Sequence, residues 1–339
     1  MLKNLGKHVV FFIILIVLTF FFLIRGENYN DIVRIVSEID IKYVILGILM
    51  MFFYILGDAI NSKMLLANFG YKMSIFKTLK YGFIGFFYSA ITPSSSGGQP
   101  MQLYHMSKDK ISVSHGTVVL LLEAIAYHLI ALVYMAIGAI YNGGYLIDNL
   151  KYFTVLFIMG ITGTVCILTV LLGFLFSKRA SNVFSKIAIW LIKKFKKNNS
   201  EEAVNKLTKE LKNFKDSSDY IKKNKKIIIR MLIIMFLQMT AFHSVSYITA
   251  CALGIDISYF KILTLQAVLF SSVTSIPLPG SMGISELGYS VIFTPIYGEK
   301  IIASATIITR FMNFYFFVLL SFVVSLITYI KETKKSLAK

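Results

Sequence analysis

An all-α, polytopic integral membrane bundle is the fold class this sequence predicts, and three observations predict it. Of the 339 residues, 56% are hydrophobic and only 15% charged, with a mean hydropathy of +0.71; a water-soluble domain carries about a quarter charged residues. The apolar residues fall in runs. His8 to Ile24 and Tyr152 to Phe176 contain no charge, and about 20 apolar residues span a bilayer as a helix. The net charge of +18 is gathered beside such runs, between Ser177 and Arg230 and again from Lys331 to Lys339. Basic segments flanking spans mark the cytoplasmic side and face an anionic leaflet. The charge therefore sets orientation and implies no nucleic-acid partner.

The elements follow in order from that orientation. Lys3 and Lys7 precede the first run and no small-x-small cleavage site follows Ile24, so His8 to Ile24 is expected to stay as a first helix running outward. A mixed-charge stretch from Arg25 to Lys42 follows outside. The span from Tyr43 to Ala67 returns inward to Lys72, Lys77 and Lys80. Next comes an interrupted apolar stretch, Tyr81 to Pro100, and then a full span from Ser114 to Tyr141 ending in NGGYLIDN, expected as an external loop. Tyr152 to Phe176 leads back inside. In the second half Ile227 to Leu253 runs outward, Gln266 to Phe293 is interrupted, and Ile302 to Ile330 ends at the basic tail. Cys166 and Cys251 lie inside apolar runs and read as buried thiols.

Between the halves, Val204, Leu207, Leu211, Phe214 and Ile221 recur at three-four spacing. Phe184, Ile187, Leu191 and Phe195 do so beside Trp190. Both read as amphipathic helices on the inner leaflet, with a coiled-coil partner as the competing reading of the former. The chain is thus expected as a single domain over 1–339: a first half (1–176), basic cytoplasmic helices (177–226) and a second half (227–339). It has about six full spans and two broken segments.

The broken segments correspond. FFYSAITPSSSGGQP and LFSSVTSIPLPGSMG each run from an aromatic through Ser and Thr to Pro and a Gly pair. The charge pattern makes the first begin and end inside and the second outside. The match reads as two inverted repeats, each with a Pro/Gly-broken, re-entrant helix, the arrangement in which sites form at the midplane; two unrelated kinks are the alternative. Pro93, Gly97, Gly98, Pro277, Pro279, Gly280 and Gly283 break helical hydrogen bonding. The freed N–H groups at half-helix starts suit an anion such as a lipid phosphate, with Ser94, Ser95, Ser96 and Ser281 adding hydroxyls. The same serines serve equally well to satisfy the broken backbone.

Charges inside apolar runs are costly and mark cavities or partners. Glu123, Glu286 and Arg310 stand out. Glu123 and Arg310 sit at similar offsets from their Gly clusters, so they are expected to pair or jointly to line a cavity, with a structural salt bridge as the competitor. Asp58 and Lys63 fall late in their span and read as snorkelling to the interface. His128 and His243 lack spaced partners and suggest no metal site. Walker A, GxSxG and HExxH patterns are missing, so no cofactor or catalytic residue is expected and any transport runs on a gradient or downhill.

TPSSSGGQPMQLYHM (Thr92 to Met106), LLLEAIAYHL (Leu120 to Leu129), PLPGSMGISELGYS (Pro277 to Ser290) and ITRFMNFY (Ile308 to Tyr315) resemble the lysylphosphatidylglycerol synthase transmembrane, or flippase-like, family. This is the membrane half of the multiple peptide resistance factor. The resemblance implies a flippase for an aminoacylated or related phospholipid in a bacterial cytoplasmic membrane, with both termini inside. It places Glu123, Glu286 and Arg310 at the family's acidic and basic positions. Many family members carry Glu directly after the Gly pair and Arg three residues later, where this chain has Gln99 and Gln102, so headgroup preference is expected to differ. The soluble lysyltransferase domain is expected to be absent, leaving aminoacyl transfer to a separate lipid synthase; a homo-oligomer is compatible with the sequence. The expected lipid-binding set is Pro93, Ser96, Gly97, Gly98, Gln99, Gln102, Glu123, Pro279, Gly280, Gly283, Glu286 and Arg310. The rivals are an ion-coupled transporter of a small solute and a membrane component of a lysyltransferase system.

Overall fold

A computed structural model describes residues 29–149, 153–176, 200–274, 276 and 278–337, with isolated helical positions at 14, 17, 19 and 21. The first expected span and the stripe around Trp190 therefore lie almost wholly outside the described residues. Every regular element described is helical. We number them α1 (Tyr29–Ser37), α2 (Ile41–Asn68), α3 (Ile75–Ile91), α4 (Gly98–Lys108), α5 (Val113–Asn149), α6 (Phe153–Phe176), α7 (Ser200–Lys223), α8 (Lys225–Ala252), α9 (Tyr259–Val273), α10 (Ile284–Tyr297), α11 (Glu299–Arg310) and α12 (Phe316–Leu337). Among the described residues, five stretches are long and apolar enough to cross a membrane: α2, most of α5, most of α6, α8, and α11 through α12. The protein is a multi-pass helical membrane protein.

Lipid tails are as apolar as leucine, so helices associate by close packing and polar contacts. Small residues provide the close packing. A Cβ on Gly138 of α5 would stand 2.9 Å from the Thr264 carbonyl oxygen of α9, and one on Gly160 of α6 would stand 2.4 Å from Ser272 Cα. Hydrogen bonds tie the same helices, as where Asn142 Nδ2 donates to Thr264 Oγ1 at 2.8 Å. The longest packed pair is α8 along α2, and α12 lies against α3.

Several sequence expectations change. NGGYLIDN is the last part of α5 instead of a loop, helical to Asn149. The stretch from Arg25 to Lys42 holds the short helix α1. The final span is longer than expected, starting at Glu299, and it contains a π-helical turn at Phe311–Tyr315, after which the Phe316 N–H bonds the Phe311 carbonyl five residues back. Cys166 is exposed on the apolar outer surface, because α6 buries little of its circumference.

The stripe on α7 does not lie on the leaflet. Phe214 and Ile221 are buried, and Val204, Leu207 and Leu211 partly so, against α5, α6 and α8. Glu210 Oε2 accepts from Ser112 Oγ and from the Ser114 N–H, both at 3.0 Å, at the start of α5. Burial pushes the Glu210 carboxyl up, but the hydrogen bonds from Ser114 and Ser112 outweigh it and hold the group below its ordinary value. A helix N-terminus favours such an anion, so α7 is pinned to the bundle through its stripe and this carboxylate.

Candidate functional site

Each interrupted stretch is a helix, a one-turn 3-10 segment and a second helix: α3, Pro93–Ser95 and α4; then α9, Pro279–Ser281 and α10. Helix α3 ends at Ile91 and is capped by Thr92, the residue before Pro93, whereas α9 ends earlier, at Val273, and an extended Leu278 leads into Pro279. Proline fixes its own φ and favours extended backbone before it. After it, two successive residues take left-handed backbone in both turns, Ser94 (φ 52°) and Ser95 (φ 54°), then Gly280 (φ 56°) and Ser281 (φ 52°). Left-handed serines are uncommon, so their recurrence at matching positions is a shared conformation. The two turns pack against each other. Gly280 is required there twice over, since a Cβ would also stand 2.3 Å from Phe314 Cζ.

The N–H groups expected to be free at the half-helix starts are partly used. Gly97 N–H donates to Thr92 Oγ1 at 2.9 Å, and Gly283 N–H to Glu286 Oε2 at 2.8 Å. Gly98 is held by close approach, its missing Cβ standing 2.0 Å from Ser89 Oγ.

Glu286, 1% exposed, forms the centre of a clamp. Arg310 Nε donates to its Oε1 at 2.7 Å and Tyr315 hydroxyl to the same oxygen at 3.1 Å. Arg310 also reaches the Gly280 carbonyl at 3.4 Å and lies 4.2 Å over the Phe314 ring. The π-helical turn delivers Phe314 and Tyr315 to this position by adding a residue between Arg310 and the helix that follows. The expected Glu123–Arg310 ion pair is therefore not formed. Arg310 belongs to Glu286, and Glu286 is committed to holding α10 to the last span. The two carboxylates differ because Glu286 opens α10 beside Gly283, whereas Glu123 lies within the first third of α5, where it accepts from Ser62 Oγ at 2.8 Å.

Glu123 and Arg310 do line one cavity, of about 510 Å³, bounded by α2, α3, α4, α5, α6, α8, α9, α10, the two turns and the last span. Ser96, Gln99, Gln102 and Gly280 of the expected set line it as well; Pro93, Gly97, Gly98, Pro279, Gly283 and Glu286 lie behind it as supports. Asp58, read from sequence as snorkelling, instead faces the cavity and accepts from Gln102 Nε2 at 3.4 Å. Lys63 is exposed. His128, Gln238 and Asn313 also line the cavity, each with a buried polar atom lacking a partner. On one side the wall includes Ile167 of α6, an exposed residue on a helix that buries little of its circumference. The signal for Asp58 was in the sequence: a carboxylate in an apolar span. Gln238 and Asn313 had no signal, being amides in otherwise apolar helices.

A buried carboxylate and a partly buried one line the cavity, beside a clamped guanidinium and the paired Pro turns. The sequence profile described as "Lysylphosphatidylglycerol synthase TM region" matches residues 9–321. The chain belongs to the lysylphosphatidylglycerol synthase transmembrane family. Two archaeal relatives extend the likeness. A UPF0104 membrane protein of Pyrococcus horikoshii is 23% identical over 294 residues, covering 84% of this chain and 86% of the relative. Another, of Archaeoglobus fulgidus, is 23% identical over 245 residues, covering 70% and 71%. In this lysylphosphatidylglycerol synthase transmembrane chain, Gln99 Nε2 turns to the Leu120 carbonyl at 3.4 Å and Gln102 to Asp58. The two glutamines thus reach α5 and α2, Gln102 through the Asp58 carboxylate.

Proposed function

We propose that this protein moves a phospholipid between leaflets, its headgroup passing through the cavity while the acyl chains stay in lipid. The observation that carries the reading is the cavity where the two Pro turns meet, which holds Asp58, Glu123 and Arg310 inside a wall of apolar helices. Its volume falls in the range of about 300–1,000 Å³ that suits a small molecule. Asp58 and Glu123 give it a negative wall that favours a cationic headgroup such as that of an aminoacylated phosphatidylglycerol, lysylphosphatidylglycerol included. Hydroxyls of Ser94, Ser95, Ser96 and Ser281 stand at the cavity for the phosphate. In this reading the two halves are inverted repeats with re-entrant segments, both termini are cytoplasmic in a plasma membrane, and the lysine-rich segment between them faces the anionic inner leaflet. A separate synthase makes the lipid.

The exposed position of Ile167 supports a lipid cargo over a soluble solute, because a cavity that reaches the outer surface beside α6 admits acyl tails sideways. The test is a leaflet-resolved assay in liposomes with fluorescent lysylphosphatidylglycerol and phosphatidylglycerol, comparing the native protein with Glu123→Gln and Arg310→Ala. Native protein accelerates exchange of the cationic lipid, and both variants lose most of it. Equal exchange by all three, or none by the native protein, would sink the proposal.

A further inference from the structure

The acidic wall of the cavity is built for more than a passing headgroup. Among the described residues lining the cavity, Arg310 is the single lysine or arginine, and its guanidinium is taken by Glu286. Asp58 and Glu123 face the same space with only neutral donors, Gln102 Nε2 and Ser62 Oγ. Two carboxylates at bilayer depth without a positive charge are costly. A third acceptor stands beside them. Gln238 on α8 is 4% exposed, and its Oε1 has no donor. That oxygen lies 2.6 Å from where a Cβ would stand on Gly57, the residue before Asp58.

Glycine makes the room. A Cβ on Gly82 would approach Asp58 Oδ2 to 3.4 Å, and one on Gly85 would come within 2.5 Å of Gln102 Nε2. Gly57, Gly82 and Gly85 thus let the Gln238, Asp58 and Gln102 side chains lie against bare backbone, which gathers them into a polar recess of the cavity between α2, α3 and α8. Carboxylate and amide oxygens are the ligands that hard cations take.

We propose that Asp58, Glu123 and Gln238 bind a monovalent inorganic cation, which occupies the acidic wall and exchanges there with the positive charge of the cargo. Binding of the cation stands on the recess alone; the exchange rests on the transport reading above. The shared chemistry is one positive charge, supplied either by an alkali cation or by a proton. Among the described residues, the titratable and charged groups facing the cavity here are Tyr54 on α2, Tyr127 and His128 on α5, and Arg310, which is paired with Glu286 behind the wall; Gln99 and Gln102 of α4, Met235 and Phe242 of α8, and Phe270 and Thr274 add amides, a thioether, rings and a hydroxyl.

The test is thermal unfolding of purified protein in nanodiscs at constant ionic strength, in choline, sodium or potassium chloride, from pH 5.5 to 8.5. At a cation concentration about 100-fold above Kd, Tm rises by about 4 °C. Asp58→Asn and Gln238→Leu lose that rise, while the exposed Glu299→Gln keeps it. A rise with sodium or potassium identifies an alkali cation. A rise on acidification alone, lost in Asp58→Asn, identifies a proton. If Asp58→Asn does not fold, Glu123→Gln and Gln238→Leu decide the matter. A native Tm indifferent to all three cations and to pH, or a response unchanged in the variants, overturns the site. In liposomes, lipid exchange that ignores imposed sodium, potassium and pH gradients overturns the coupling and leaves the transport reading standing. Cation binding without any lipid movement overturns the transport reading and leaves the site.

Discussion

Glu286→Gln should be among the most damaging single-atom changes in this protein. The carboxylate serves three donors on two oxygens: Arg310 Nε and the Tyr315 hydroxyl on Oε1, and the Gly283 N–H on Oε2. A glutamine amide has one acceptor oxygen, so its NH₂ must face either the Gly283 N–H or the Arg310–Tyr315 pair. The change also leaves Arg310 with the Gly280 carbonyl at 3.4 Å and the Phe314 ring at 4.2 Å. Removing one partner of a buried ion pair costs about 3–5 kcal/mol. With an unfolding entropy of about 2.1 cal/mol/K per residue over 339 residues, the melting temperature should fall by about 4–7 °C. Arg310→Met alone should cost less, because Glu286 keeps two of its donors. The double variant should recover at least half of the Glu286→Gln loss, since no charge is then left unpaired. Thermal unfolding of the four proteins in one detergent checks this. A loss under about 1 °C for Glu286→Gln, or a double variant as weak as the two losses added together, would refute the clamp.

Gly280→Ala places a Cβ 2.3 Å from Phe314 Cζ at a φ of 56°; the left-handed strain is about 1–2 kcal/mol, and the displaced ring should lower Tm further than Gly254→Ala, a left-handed site with open space. Gly98→Ala should cost about 1–3 kcal/mol by overpacking, since its Cβ would meet Ser89 Oγ at 2.0 Å and the Gly85 carbonyl at 2.8 Å; unfolding in detergent reads the loss. Glu210→Ala removes the carboxylate from the start of α5 and should cost about 1 kcal/mol at neutral pH. Because the folded Glu210 carboxyl is held below its ordinary value, that stabilisation is present above the unfolded value of 4.5 and is lost as pH falls through the folded one. The Tm gap between native and variant should therefore be full at pH 7 and close on acidification below 4.5; a gap constant with pH would contradict the capping role.

The spans were legible because a bilayer imposes length and composition on every helix that crosses it, and α2, α5, α6 and α8 fall where their apolar runs do. The two turns were legible too, because proline and glycine act on the backbone locally, without help from neighbours. Partner choice was not. Arg310 sits at a similar offset to Glu123, yet it pairs with Glu286 because a π-helical turn brings Phe314 and Tyr315 round the guanidinium. The stripe on α7 looked suited to a leaflet, since sequence periodicity shows that a face is apolar without showing what covers it; α5, α6 and α8 cover it here.

By itself the sequence determined that this chain lives in a membrane, where its helices are interrupted and that charges such as Glu123, Glu286 and Arg310 fall inside apolar runs, since each follows from local chemistry against a uniform solvent. Only the tertiary structure decided which of those charges are neutralised. Asp58 and Gln238, distant in sequence and placed in different helices, come to line one cavity because Gly57, Gly82 and Gly85 let α2, α3 and α8 close around them. That depends on the register of helices against each other, and register is set by packing that no single segment encodes.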